Sequence, residues 1–299
     1  MRFDIVMWAR NGAATLPHVL RRLDELLPKE IAHRRIFVDD HSVDGSRDIA
    51  RDFNWEIYRN DEGGVAAGVN KAFSLVDCDH TISVEQDLLL NRDWWKSIPS
   101  LVEKPDVAVA QGWRLPPETQ PALRRFEEYR LERYRKYDLP VFSIDNTIFV
   151  TSLLGRIGAV PSELRYSGVD TYIYKKIISL GYRWAIDYNL ISTHLRQGGV
   201  LEQVSRYYRY GLDTPTLKRY DLSSESRHVR RGVKSAVGIL FFSPIRGLLI
   251  AVTERCPQIV IYYPLIRLAL LIGYLKSRTQ TGTPDSSRLP VNNFASAPK

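Results

Sequence analysis

Cysteine is scarce in this sequence, which has Cys78 and Cys256 as the only two cysteines among 299 residues. They lie too far apart for the paired spacing of a metal site and form no disulfide framework, so a reducing compartment is expected. A signal-peptide layout is also missing, because an acidic residue stands at position 4 and the first apolar run is short. We therefore expect the N-terminal domain to stay in the cytoplasm.

Long hydrophobic runs are missing from the C-terminal third. A membrane-spanning helix needs about 20 consecutive apolar residues. The runs 235–245 and 256–266 each have 11 residues before Arg246 and Arg267 interrupt them. Between residues 221 and 278 nine Lys and Arg outnumber three acidic residues, in a chain of net charge +8. Basic and apolar residues mixed in this way favour an anionic membrane surface over nucleic acid.

These apolar runs contain a short internal repeat. Residues 241–246 read FFSPIR, and 21 residues later 262–267 read YYPLIR. Two similar helices packed as a hairpin would explain the repeat. We expect residues 229–278 to form amphipathic helices that lie on the membrane surface. A hairpin buried on the catalytic domain or on a second subunit, and a pair of tilted spanning helices, are the alternatives.

Hydrophobic periodicity in the first 112 residues alternates between strand and helix patterns. Strands are predicted at 3–9, 35–39, 55–58, 81–84 and 107–110, and helices at 14–27, 44–53, 66–76 and 91–102, the last capped by Asn91. This alternation predicts an α/β fold with a mostly parallel central sheet and helices on both faces. Further on, helices are predicted at 121–137, 170–180 and 200–217, and extended segments at 142–150 and 182–186.

Polar side chains cluster after three of the predicted strands. The clusters are Trp8, Arg10 and Asn11 after the first strand, Asp39 and Asp40 after the second, and Glu85, Gln86 and Asp87 after the fourth. Ligands of parallel sheets bind at the carboxyl ends of the strands. A carboxylate can accept a hydrogen bond from a ribose or a base, and a pair of carboxylates can hold a divalent cation. The arrangement therefore suits a nucleoside diphosphate.

Each cluster also has a purely structural interpretation. Asp39 and Asp40 suit a turn before a capped helix, because Asp44 and Ser46 are good N-cap residues. Glu85 and Asp87 are also consistent with ordinary loop acids. The glycines of segment 63–68 are consistent with close packing of a helix.

The order of the motifs along the chain is more specific than any one of them. Segment 38–46, VDDHSVDGS, resembles the VDDxSxDGT/S motif of family 2 glycosyltransferases, which are inverting enzymes of GT-A fold. Segment 64–72, GVAAGVNKA, is similar to their GxAxAxNxG helix. Residues 85–87, EQD, stand in the place of their DxD motif, and 168–170, GVD, in the place of their ED motif. The resemblance covers roughly residues 3–200, which include a Thr-His pair similar to a late histidine of the family.

This resemblance implies a role for each matching residue. Asp87, with Glu85 and His194, would hold Mn²⁺ or Mg²⁺, and Asp170 would be the catalytic base. Trp8 and Arg10 would line the base, and Asp39 or Asp40 would accept hydrogen bonds from the base or ribose. The remaining substrate-binding candidates are Asn70, Lys71, Gln86, Asp145 in the expected acceptor loop, and Arg196 near the diphosphate.

Two departures from the family motifs leave an alternative open. Glu85 replaces an aspartate of the DxD motif, and Val169 replaces the first acid of the ED motif. A catalytically degenerate nucleotide- or sugar-binding protein is therefore a second hypothesis. A nucleotidyltransferase is a third, but it requires a basic, glycine-rich loop after the first strand, and residues 10–14, RNGAA, match that poorly.

The resemblance and the composition together imply an organisation of the chain. Residues 1–222 would form a GT-A-like catalytic domain, with a donor half at about 1–112 and an acceptor half at about 113–222. Residues 223–278 would form the membrane-associating helices, and the Thr-, Ser-, Pro- and Asn-rich tail 279–299 is expected to be disordered.

The expected activity is sugar transfer from a nucleoside-diphosphate sugar to a hydroxyl or phosphate of a lipid-linked acceptor. UDP is favoured over GDP because it is commoner in such families. The expected location is the cytoplasmic face of the membrane, as a peripheral or monotopic protein. Nucleic acid is not an expected partner, and a homodimer is left open.

Overall fold

A computed structural model describes residues 2–137, 142–195, 198–222 and 234–280. Eight strands of these residues form one sheet in the order β3-β2-β1-β4-β7-β6-β8-β5. The strands are β1 Phe3–Ala9, β2 Ala32–Asp39, β3 Glu56–Arg59, β4 His80–Val84, β5 Leu88–Leu89, β6 Val107–Leu115, β7 Asn146–Val150 and β8 Arg183–His194.

Helices cover both faces of this sheet and extend beyond it. They are α1 Leu16–Leu26, α2 Ser46–Asp52, α3 Val65–Ser74, α4 Trp94–Val102, α5 Pro121–Lys136, α6 Thr151–Ile157, α7 Val169–Ser179, α8 Gly199–Arg219, α9 Lys234–Thr253 and α10 Ile259–Gln280. The pairs β3–β2, β2–β1, β1–β4 and β6–β8 are parallel, whereas β7 and β5 pair antiparallel with their neighbours. The predicted α/β fold with a mostly parallel sheet is confirmed.

The central strand β1 shows why the sheet is covered on both sides. All seven of its side chains are buried, so both of its faces are withdrawn from water. Because side chains alternate along a strand, Ile5 and Met7 join the hydrophobic core on the α1 side, and Val6 joins the core on the α3 side. Burial on both faces leaves the strand ends as the exposed polar edge.

Several boundaries differ from the sequence predictions. Helix α4 begins at Trp94, and Asp93 rather than the predicted Asn91 is its N-cap residue. The Asn91 side chain donates to the Ile191 carbonyl and accepts from the Asp93 amide. Strand β8 continues to His194, well past the predicted end at 186. Its alternation of polar and apolar residues is irregular, and pairing with β6 and β5 extends it. The short elements β5 and α6 were not predicted.

Helix α10 packs along α8 at very short range. A Cβ at Gly273 would lie 2.0 Å from the carbonyl oxygen of Tyr208, and a Cβ at Gly211 would lie 2.2 Å from that of Leu270. The two glycines therefore allow the helix backbones to touch. One face of α10, including Ile259 and Ile266, is buried in a hydrophobic cluster shared with α5 and α8.

Helices α9 and α10 form the hairpin that the repeat predicts. A Cβ at Gly247 of α9 would lie 3.2 Å from the Val260 carbonyl oxygen of α10. The outer surface of the hairpin is apolar and exposed. Its large exposed side chains are Phe241, Phe242, Ile245, Leu248, Leu249, Val252, Ile261, Leu265, Leu268, Ile272 and Leu275, and we call this set the hairpin surface.

The expectation that no C-terminal segment is long enough to span a membrane is wrong for α10. Residues Ile259–Thr279 are long and apolar enough to cross a membrane, by length and composition alone, because their mean hydropathy stays high in spite of Arg267. In the apolar window of this helix 39% of the residues are buried against the protein. Of the predicted tail, 281–299 lies outside the described residues, as do 223–233, and α10 itself continues to Gln280.

The contact between α8 and α10 predicts a strong effect of one added methyl group. Gly273→Ala should destabilise the protein by roughly 1–3 kcal/mol, because the new Cβ must push α10 away from Tyr208. Gly155→Ala in α6 is the matched control, since nothing lies within 4 Å of its added Cβ. That control should stabilise by about 0.5–1 kcal/mol. Denaturant unfolding measures both, and equal effects of the two substitutions would contradict the close contact.

Candidate active site

The carboxyl ends of β1 and β4 are joined by a glutamine side chain. Gln86 accepts a hydrogen bond from the Arg10 amide at 2.8 Å and donates one to the Arg10 carbonyl at 3.1 Å. Gly12 makes room for this contact, because a Cβ there would lie 2.8 Å from the Gln86 Oε1. Gln86, predicted to bind substrate, is therefore occupied in holding two strand ends together.

The turns after β1 and β2 are also tied to each other. Asn11 has a φ of 51°, in the left-handed region, and its amide donates to the Ser42 Oγ at 2.9 Å. Its side-chain oxygen accepts from the Val43 amide at 3.0 Å. The Gly12 amide donates to the Ser46 Oγ at 2.8 Å. The serines of segment 38–46 thus hold the shape of the neighbouring turn.

The two carboxylates that end β2 have different surroundings. Asp39 is buried and accepts from the Ser42 amide at 3.2 Å. Asp40 accepts from the Asn60 side chain at 3.1 Å and from the Gly64 amide at 3.2 Å. Gly64 precedes α3 with a φ of 88°, so the Asp40 carboxylate fixes the entry into that helix.

Three of the predicted ligands meet where β4 and β8 end. The Nε2 of His194 lies 3.0 Å from an oxygen of Asp87 and 3.5 Å from an oxygen of Glu85. His194 is buried, whereas both carboxylates are half-buried. Asp145 belongs to the same group, because ligand atoms of Glu85, Asp145 and His194 all lie within 4.8 Å of one another. This donor set is chemically suited to a divalent cation.

Negative charge is crowded around these ligands. Burial, with the charges of Asp145 and Asp87, raises the pKa of Glu85 well above its ordinary value. One counter-charge is Arg114 of β6, whose Nε lies 2.8 Å from a carboxylate oxygen of Asp145. Asp145 itself is fully buried and also accepts from the Ser143 hydroxyl. A cation would relieve the repulsion that remains.

Asp170 lies in the first turn of α7, after Gly168 in the left-handed conformation. Burial raises the pKa of its carboxyl to about 7, the Arg114 guanidinium opposes that rise, and the charge of Asp145 adds to it. A carboxyl group that titrates near neutrality is suited to general acid–base chemistry. Val169 before it is buried in the hydrophobic core, so the position that departs from the ED motif faces away from solvent.

One cavity of about 600 Å³ brings these groups together. Its walls include Glu85, Gln86, His194 and Asp170. Four arginines that were not predicted also line it, namely Arg114, Arg130, Arg206 and Arg209, and Leu270 of α10 closes part of its wall. The predicted metal ligands Glu85 and His194 and the predicted base Asp170 therefore face the same cavity.

Other predicted residues lie away from this cavity or are engaged elsewhere. Trp8 is 8% exposed and packs edge-on against Phe73, so little of its ring surface is open to a ligand. Asn70 donates to the Val160 carbonyl and accepts from the Val160 amide, each at 2.8 Å. Arg10 and Lys71 are exposed, and Arg196 lies outside the described residues.

The arginines were missed for an identifiable reason. Arg114 lies in the last part of β6, beyond the apolar run that predicts the strand. Arg206 and Arg209 lie three residues apart on α8, which puts them on the same side of that helix. That spacing is the one feature of the sequence that points to them, but a basic, tyrosine-rich helix more commonly faces solvent.

Sequence comparison decides the family. The model of glycosyl transferase family 2 matches residues 4–157, about half of the chain. The chain belongs to glycosyl transferase family 2. It is therefore a glycosyltransferase, as the order of its motifs predicts. A comparison with curated proteins gives no significant match.

Solved structures share the fold of this glycosyltransferase. The mannosyltransferase PcManGT from Pyrobaculum calidifontis, in complex with GDP-Man and Mn²⁺, has a TM-score of 0.61 at 17% identity, over 89% of this chain and 87% of that chain. Mannosyl-3-phosphoglycerate synthase from Rubrobacter xylanophilus has a TM-score of 0.52 at 18% identity, over 76% and 75%.

A third structure is glucosyl-3-phosphoglycerate synthase from Mycobacterium tuberculosis, in complex with Mn²⁺, UDP and glucosyl-3-phosphoglycerate. It has a TM-score of 0.51 at 13% identity, over 68% of this chain and 75% of that chain. At these identities the likeness establishes the GT-A-like fold, and the identity of the substrates has to be argued from the site.

Proposed function

We propose that this glycosyltransferase moves a sugar from a nucleoside-diphosphate sugar to an acceptor hydroxyl or phosphate, with inversion at the anomeric carbon. The observation that carries the proposal is the shared cavity, in which Asp170 faces the same space as the Glu85 and His194 cluster. A donor phosphate group and an acceptor nucleophile need this proximity, because the reacting atoms must be held in contact for transfer.

The donor would lie over the carboxyl ends of β1, β2 and β4. Asp39 and Asp40 end β2 there, and Arg10 is exposed beside them after β1. The structural neighbours support a nucleotide donor, since one is described with GDP-Man and another with UDP. They include both nucleotides, so a donor panel has to contain UDP-sugars and GDP-sugars.

Glu85, Asp87 and His194 would hold a divalent metal ion, Mn²⁺ or Mg²⁺. The fit rests on oxygen and imidazole donors that converge, and on the crowded negative charge that a cation would neutralise. Mn²⁺ is present in two of the neighbouring structures. When bound, such an ion supplies charge stabilisation to the departing diphosphate.

Asp170 is proposed to be the general base. The acceptor hydroxyl passes its proton to the Asp170 carboxylate as its oxygen bonds to the anomeric carbon. The bond from that carbon to the diphosphate oxygen breaks on the opposite side, so the configuration inverts. A phosphate acceptor is already ionised, so with such an acceptor Asp170 would mainly orient the nucleophile.

A lipid-linked acceptor at the membrane is the finer part of the proposal. The hairpin surface is apolar, and Arg246, which is exposed within it, can meet lipid phosphates. Leu270 belongs to the same hairpin and also lines the catalytic cavity. A lipid chain lying along α10 would therefore place its polar end near the cavity. We place the protein on the cytoplasmic face, as a peripheral or monotopic enzyme.

Single substitutions separate the enzyme from a degenerate binding protein. Asp170→Asn should lower turnover of a hydroxyl acceptor by about 10²–10⁴-fold and leave donor binding intact, because the base acts on the acceptor. Asp87→Asn should remove the Mn²⁺-dependent rise in melting temperature that the donor produces. Asp106→Asn is the control, because this exposed acid precedes the amino end of β6, at the opposite end of that strand from Arg114 of the cavity wall. Full turnover by the Asp170 variant with a hydroxyl acceptor would contradict the assignment of Asp170 as the base.

The pKa of Asp170 predicts a pH profile. A base works in its ionised form, so kcat/KM should rise with pH up to about 7 and then level off. Arg114→Gln removes the charge that favours the carboxylate, and the rise should move to higher pH. Arg114→Lys keeps the charge and should leave the rise near its original position. A profile that is the same for both variants would contradict the role given to Arg114.

The hairpin surface predicts binding to anionic vesicles. The double substitution Phe241→Ser and Phe242→Ser should reduce flotation with phosphatidylglycerol vesicles, because both rings are more than half exposed on α9. Leu201→Ser is the matched control, since Leu201 is 81% exposed but lies on α8 outside the hairpin. Unchanged flotation of the double variant, or equal loss with the control, would remove the hairpin as the docking surface.

A further inference from the structure

A second group of potential metal ligands lies at the opposite end of the sheet from the catalytic cavity. It consists of Asp4 in β1, His33 in β2, and Asp77 and Cys78 just before β4. These strands are neighbours in the sheet, and the residues lie at or before their amino-terminal ends. One ligand atom from each of the four lies within 4.8 Å of the other three.

Two carboxylates compete for one histidine nitrogen in this group. The Nδ1 of His33 lies 3.1 Å from an oxygen of Asp4 and 3.2 Å from an oxygen of Asp77. One N–H can donate a good hydrogen bond to only one of them. A cation at the centre would instead be shared by the nitrogen and both carboxylates.

The Asp4 side chain is held in place by the backbone around it. Asp4 is fully buried, and its Oδ2 accepts hydrogen bonds from the amides of Asp77 at 2.7 Å and Cys78 at 3.0 Å. The other oxygen, Oδ1, is the one that faces His33. Backbone amides that orient a ligating carboxylate are a usual support of metal sites. His33 and Asp77 are exposed, which gives an ion a path from solvent.

The donor set selects the kind of metal. A thiolate, an imidazole and carboxylates are all ligands that zinc accepts, and the group offers the four ligands that a closed, tetrahedral site needs. At ordinary zinc–ligand distances, tetrahedral nitrogen and oxygen ligands are about 3.4 Å apart, close to the two separations around His33. Sulfur favours zinc over manganese or magnesium. The catalytic cluster of Glu85, Asp87, Asp145 and His194 contains no sulfur.

We propose that Asp4, His33, Asp77 and Cys78 form a structural site for Zn²⁺, distinct from the catalytic metal site. The bound ion joins β1, β2 and the segment before β4 through four protein ligands. It stabilises the amino-terminal edge of the nucleotide-binding half and leaves no open position for a substrate. The ion binds the thiolate and the neutral imidazole, so the thiol proton is released on binding and the affinity increases with pH.

Cobalt titration of the full-length protein, first stripped with EDTA, tests the site directly. Co²⁺ replaces Zn²⁺ in such sites and gives a thiolate-to-cobalt charge-transfer band when a cysteine is a ligand. We expect that band in the wild type and its disappearance in Cys78→Ser. Cys256→Ser, which removes the other, buried cysteine, should keep the band. Asp87→Asn should also keep it, because that change affects only the catalytic cluster. Added Zn²⁺ should displace the cobalt and abolish the band.

A second variant keeps the test decisive if Cys78→Ser fails to fold. His33→Gln removes one exposed ligand and should weaken Zn²⁺ binding at least about tenfold by calorimetry, as loss of even an outer-shell partner does. Asp79→Asn, an exposed neighbour outside the group, is the control for the loop. Absence of the band in a folded wild-type protein, or a band that survives Cys78→Ser, would overturn the proposal. So would equal Zn²⁺ affinity of the wild type and the His33 variant.

Discussion

The crowding of negative charge in one cavity is the constraint on which the site depends. Glu85, Asp87, Asp145 and Asp170 come from three separate segments, and burial keeps water from screening them from one another. Arg114 pairs with Asp145 and at the same time lowers the pKa of Asp170, so one guanidinium balances two carboxyl groups. Arg114 and Arg206 also lower the pKa of Glu85, but burial and the charges of Asp145 and Asp87 outweigh them and raise it well above its ordinary value. A metal ion and a diphosphate, arriving together, would complete that balance in the proposed reaction.

The family motifs serve this arrangement mainly by holding backbone in place. Ser42 and Ser46 accept amide hydrogen bonds from the neighbouring turn, Asp40 accepts from the Gly64 amide, and Asn70 clamps the backbone at Val160. Motifs of this kind identify the family well, because the geometry of the turns tolerates few other residues. They are weaker guides to substrate contacts, since a side chain that holds the backbone has fewer hydrogen-bonding groups left for a ligand.

This distinction explains which parts of the molecule the sequence could predict. The bounds of β1 follow from an apolar run that only Asp4 interrupts, and the cluster of Glu85, Asp87 and His194 follows from motif order, although its last member lies 107 residues after Asp87. No local sequence pattern marks Arg114, because its ion pair depends on Asp145, which the pairing of β7 with β6 places beside it. The same applies to Cys78, whose proposed partners come from three segments. Spacing rules compare residues within one segment of the chain. They therefore do not detect residues that the order of strands in the sheet brings together.

Helix α10 shows how composition can mislead when a helix has two apolar faces. Its hydropathy meets the requirement for a spanning helix, yet Ile259 and Ile266 are buried and Gly273 lies against the α8 backbone. A helix released to cross a bilayer would lose that packing and uncover the apolar cluster beneath it, at about 25 cal/mol per Å² of apolar surface. The exposed face of the helix needs no such release in order to meet lipid. Packing on α8 therefore favours a hairpin that lies on the membrane and keeps Leu270 at the wall of the cavity. This physical argument connects the proposed membrane surface with the proposed acceptor.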